Sequence, residues 1–167
     1  MARRVLSRFM VRRLLLLAAL GIGLGHLEAV AAAYMRRLLE WVPAPPEMAA
    51  QDVAAMPGWL IHAEQTREVA AIIVVFAVAC LVGRNFLEKA AAFFLALGIR
   101  QIVRYVALCA MIGWPASLRA TDCILLVPRP LCAPVWIPIL IAVAMVAAAG
   151  GIMVVIDRYP IWAAREA

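Results

Sequence analysis

Four apolar runs of roughly twenty residues each leave this chain little choice but to cross a membrane. They cover residues 14–35, 62–83, 90–113 and 135–156. A helix of about 20 residues, rising about 1.5 Å per residue, spans the roughly 30 Å hydrocarbon core of a bilayer. The chain is 67% hydrophobic, whereas soluble domains hold about 45–50% apolar residues. The expectation is an all-α, polytopic membrane protein: one domain over residues 1–167, with four transmembrane helices in one bundle.

The first run follows a basic start (Arg3, Arg4, Arg8, Arg12, Arg13) and contains the small-residue stretch "AVAAA", features of a secretory signal. It continues to Met35, about 22 residues, long enough to span. The expectation is an uncleaved first span.

The net charge is +6, from 16 Lys and Arg against 10 Asp and Glu. The basic residues sit at the ends of apolar runs rather than on one soluble face, which argues against nucleic acid and for orientation by the positive-inside rule. The two tails and the turn with Arg84 and Lys89 hold nine of them, and the other side holds five: Arg36, Arg37, Arg67, Arg119 and Arg129. Both termini are therefore expected in the cytoplasm, with 36–61 and 114–134 as external segments. In the first, the "PAPP" run excludes regular helix, and "EMAAQDVAAM" reads as a short surface helix between Trp41 and Trp59. The second has four prolines and an apolar centre, "CILLV". It reads as a re-entrant candidate bracketed by Trp114 and Trp136 as interface anchors. The short turn "GRNFLEKA" makes spans two and three an antiparallel hairpin.

The chemistry rests on polar residues inside the spans. Glu28, Glu68 and Arg104 share the outer half of the membrane, where lone charges cost a few kcal/mol each and turn toward one another. The expectation is a buried ionic network in which Arg104 forks between Glu28 and Glu68. Arg100 and Arg104 lie four apart on one helix face, so each needs a partner. Glu28, Glu68 and Asp122 are candidates, as is an anionic lipid or substrate phosphate. A metal reading competes: His26, Glu28, His62, Glu64, Glu68 and Asp122 lie toward one side, a His and carboxylate set that suits a transition metal. No Glu-x-x-His pair supports it. A b-type haem between His26 and His62 and a proton or substrate path through Glu28 and Glu68 are further readings.

Cys80 and Cys109 lie in spans and read as packing residues. Cys123 and Cys132, nine apart in an external loop, form a disulfide candidate. The absence of C-x-x-C, G-x-S-x-G, H-E-x-x-H and a Walker A loop leaves no familiar catalytic motif. "GIGLG" in span one and the small-residue run "AVAMVAAAGG" in span four read as close helix contacts, the latter also available to a partner helix.

The stretches "GHLEAVAAAYMRRL", "TREVAAI", "IGWPASL" and "TDCILLVPRPLCAPVWIP" resemble a family of small bacterial membrane proteins, over most of the chain. "GWPAS" followed by Asp122, "PRP" and "APV" is the most specific part. The resemblance implies a four-span bacterial inner-membrane protein and implies no activity. The family's third span has an aromatic–Asp pair and a Tyr where this chain has Arg100, Gln101 and Arg104, so no ligand role carries over.

The leading expectation is non-enzymatic: a small multi-pass subunit or scaffold of a bacterial inner membrane, in contact with lipids and with a membrane-protein partner or further copies of itself. The alternatives are a membrane metalloprotein or enzyme with a periplasm-facing His/carboxylate site, and a small oligomeric transporter.

Overall fold

The structure, a computed structural model, describes residues 8–38, 57–125 and 131–158. Four long helices appear among them: α1 (Arg8–Leu38), α2 (Gly58–Val82), α3 (Phe86–Ile112) and α4 (Trp136–Arg158). Each is long and apolar enough to cross a membrane. They match the four apolar runs and extend past most of their ends, because a helix continues beyond the hydrocarbon until the sequence stops it. The stops are legible. At the head of α3, Asn85 Oδ1 accepts from the Glu88 N–H at 2.8 Å, and Glu88 Oε2 accepts from the Arg84 N–H at 3.0 Å, which satisfies backbone donors that helix geometry leaves unpaired. At its tail, Gly113 adopts φ 67° and donates its N–H to the Cys109 carbonyl, a left-handed cap that suits glycine. Pro138 falls in the first turn of α4, where a missing N–H does no harm.

Helix α3 is the hub. The other three helices pack along it, and α1 and α4 make the closest contacts. Glycines set that closeness. A Cβ on Gly21 would come within 2.8 Å of the Ala96 carbonyl oxygen, one on Gly25 would come within 2.3 Å of that of Arg100, and one on Gly98 would come within 2.7 Å of that of Ala142. Gly21 and Gly25, four apart, thus give α1 the flat face that lets α3 approach. Gly23 between them has nothing within 4 Å. Among the described residues the core forms two clusters that mix alanines with larger side chains: Leu17, Ala79 and Ala92 at one end, and Ala29, Ala32, Ala33, Tyr105, Leu108, Trp114 and Val135 at the other. Large apolar side chains such as Ile73, Phe76, Leu81, Leu140 and Ile141 point outward. That pattern suits a solvent of lipid tails and is costly in water.

The segment 114–134, a re-entrant candidate by its sequence, holds a pair of strands. Residues Thr121–Leu125 (β1) and Leu131–Pro134 (β2) pair as an antiparallel hairpin. Thr121 faces Pro134, Asp122 faces Ala133 and Cys123 faces Cys132, with a register shift before Leu125 pairs with Leu131. Strand pairing satisfies backbone groups that an isolated loop dipping into lipid would leave open. The hairpin is fixed to the bundle where the Val135 N–H donates to the Ala120 carbonyl and the Trp136 N–H to the Leu118 carbonyl. Trp59 and Trp136 are exposed, as interface anchors require, but Trp114 is buried. The "PAPP" run, the surface-helix stretch 47–56 and Trp41 lie outside the described residues.

Candidate functional site

Toward the hairpin end, α1, α2, α3 and β1 bring charged side chains together in two linked groups. The deeper group centres on Glu28, 5% exposed. Arg100 donates from Nε to Glu28 Oε1 at 2.6 Å and contacts the same oxygen with Nη2. Arg67 Nη1 stands 3.6 Å from that oxygen. Its Nε and Nη2 donate to Glu64 Oε2 at 3.0 and 2.6 Å, one turn along α2. The close approach of α1 to α3 at Gly25, beside the Arg100 carbonyl, sets Glu28 level with Arg100.

The shallower group centres on Asp122, 6% exposed. The hairpin presents it to the bundle. Arg36 Nη2 reaches Oδ1 at 3.2 Å, Arg104 Nη1 reaches Oδ2 at 3.1 Å, and the Tyr105 hydroxyl donates to Oδ2 at 2.9 Å. The Arg36 guanidinium lies 3.3 Å from the centre of the Trp114 ring, a cation–π contact that covers its other face. Tyr105 and Trp114 rings lie 6.1 Å apart. One carboxylate thereby holds α1, α3 and the hairpin in register.

This arrangement revises the expected pairing. Glu28 pairs with Arg100, one turn below Arg104, and Arg104 pairs with Asp122. Glu28 and Glu68 still act electrostatically on Arg104. Arg100 and Arg104, offered as contacts for an anion or lipid phosphate, are thus both engaged by protein carboxylates. The residues of the metal reading do not gather as a set among the described residues, and both histidines of the haem reading are exposed. His26 is exposed, two residues from Glu28 and so on another face of α1. His62 is exposed and shares a hydrogen bond with Gln65 at 3.3 Å. Glu64 is tied to Arg67, and Asp122 belongs to the second group. Among the described residues, no three His, Cys, Asp or Glu side chains gather as ligands. Cys123 and Cys132 are joined across the hairpin. Cys109 is exposed and Cys80 half-buried, so neither is a core packing residue.

Four contributors escape a reading of the spans alone. Arg36 counts there as a loop charge, Arg67 points away from its neighbour Glu68, and Tyr105 and Trp114 register as aromatic flanks. Only the Glu64–Arg67 pair carries a local signal, its i, i+3 spacing.

The chain was compared with known proteins. No family model, curated protein or solved structure matches it. The reading of the site therefore rests on its own chemistry. Glu28, Glu64, Glu68 and Asp122 carry as many negative charges as Arg36, Arg67, Arg100 and Arg104 carry positive ones. Such a cluster can hold helices in register inside lipid without exposing a net charge to it.

Proposed function

We propose that the chain is a small, non-enzymatic subunit or scaffold of a bacterial inner membrane, with both termini in the cytoplasm and the hairpin outside. The observation that carries this reading is the occupation of the two buried carboxylates. Glu28 has Arg100 within hydrogen-bonding distance and Arg67 nearby, and Asp122 has Arg36, Arg104 and Tyr105. Arginines from other helices and a tyrosine hold these carboxylates, which fits a role in fixing helices against one another. The hairpin disulfide supports placing that end in an oxidising compartment. The resemblance to small four-span bacterial proteins supports the inner membrane. A partner is supported by α4, whose Ala144, Ala147, Ala148 and Gly151 are exposed in a pattern that lets helix backbones come close.

The test is elemental analysis and an ultraviolet–visible spectrum of the purified protein at known concentration. A featureless spectrum and no stoichiometric metal are expected. A transition metal at one per chain, or a Soret band, overturns the reading and makes the site a metalloprotein centre.

A further inference from the structure

His26 stands where an imidazole finds nothing to bind. Along α1 it lies about 20 Å from Arg13 and about 15 Å from Arg36, deep within the span. Gly21, Gly25 and Glu28 turn toward α3, and His26 is exposed on the other side of the helix. Among the described residues it has no hydrogen-bond partner. An ionisable side chain at that depth rarely faces lipid, because lipid tails offer it neither donor nor acceptor.

The same side of α1 holds a second residue with no use inside the chain. Gly21 and Gly25 let α3 approach, whereas Gly23 has nothing within 4 Å. Glycine costs a helix about 1 kcal/mol relative to alanine, so a glycine without a contact calls for one. Ala19 and Gly23 are both exposed. At 3.6 residues per turn, Ala19, Gly23 and His26 fall within about 60° of one another. Two small residues four apart let helix backbones cross closely in a membrane, and a polar side chain beside them can bond across the contact.

The chemistry of His26 narrows the occupant. A neutral imidazole has one N–H donor and one bare nitrogen acceptor, so it is complementary to itself. In a two-fold contact, a residue near the crossing meets its own copy, and His26 lies one turn from Gly23. The chain therefore supplies both the close approach and the group that answers His26.

We propose that a second copy of this chain packs on this face. The two α1 helices cross at Gly23, and one His26 ring donates its N–H to the bare ring nitrogen of the other. The contact leaves the small-residue face of α4 open. It requires only that the four helices lie in a bilayer and holds whether or not the chain is a scaffold.

Energy transfer between donor- and acceptor-labelled full chains in phospholipid vesicles tests it. The labels sit on Arg84→Cys in a chain whose Cys80 and Cys109 are replaced by alanine. Across a series of protein-to-lipid ratios, transfer should exceed chance proximity and follow a monomer–dimer equilibrium. Gly23→Ile and His26→Leu should each weaken the dimer about tenfold or more. His26→Asn, whose amide also donates and accepts, should retain it. Where Gly23→Ile does not fold, Ala19→Ile replaces it. Transfer no higher than chance at every ratio overturns the proposal, and so does transfer undiminished by Gly23→Ile. A dimer as tight with His26→Leu as in the parent, or as weak with His26→Asn as with His26→Leu, overturns the hydrogen bond between the rings.

Discussion

Glu28 carries a large energetic stake for a single residue. Its carboxylate faces two guanidinium groups, and Arg100 is itself only 8% exposed. Removing one partner of a buried pair strands the other charge, at about 3–5 kcal/mol, whereas replacing both with apolar residues is often neutral. Glu28→Gln should therefore lower the thermal midpoint in detergent sharply. Glu28→Met with Arg100→Met should recover much of that loss. Thermal unfolding of the three proteins checks this, and a double variant no better than the single one would show that the pair has a role beyond charge compensation. That an ionised Glu28 calls for a cation from another helix is legible in the sequence, because a lone charge in a span is costly. Which arginine answers is not legible. Arg100 and Arg104 share one face a single turn apart, and only the close approach at Gly25 settles the level at which α1 meets α3.

Among the elements, α1 and α3 fit through absent side chains. Three glycines lie within five residues of α1, and two of them face α3. Gly25→Val places a branched side chain where its Cβ alone would come within 2.3 Å of the Arg100 carbonyl oxygen. The helices must separate, and the Glu28–Arg100 pair separates with them. A loss of at least about 2–3 kcal/mol, or failure to fold, is expected by analogy with overpacked cores. Gly23→Ala meets nothing within 4 Å and should be neutral or stabilising by up to about 1 kcal/mol, since alanine favours helix over glycine. Melting curves of the two variants separate a packing role from mere helix propensity. The four helices themselves are plain in the sequence, because run length against bilayer thickness leaves one solution. The hairpin is not. Its strands have five and four residues, too short for an alternating pattern to stand out. Its apolar centre resembles a short membrane segment.

For the whole molecule, the orientation proposed above has a direct readout. In a variant with Cys80 and Cys109 replaced by alanine, a cysteine at Ser117, beside the hairpin, should react with a membrane-impermeant maleimide in intact cells. A cysteine at Arg84, in the turn between α2 and α3, should react only after the membrane is opened. The reverse pattern would invert the topology and place the hairpin disulfide in a reducing compartment.

The hub position of α3 has a consequence for how the protein is made. This span is the least apolar of the four and brings two arginines with it. The carboxylate for Arg100 lies 72 residues earlier in the chain, and the one for Arg104 lies 18 residues later, on the hairpin. During synthesis, α3 reaches the insertion machinery when the partner of Arg100 already stands in α1 and Asp122, the partner of Arg104, has not yet been made. A chain cut after α3 should be retained at the translocon or degraded. A chain that extends through the hairpin can close both pairs and move into lipid before α4 has been translated.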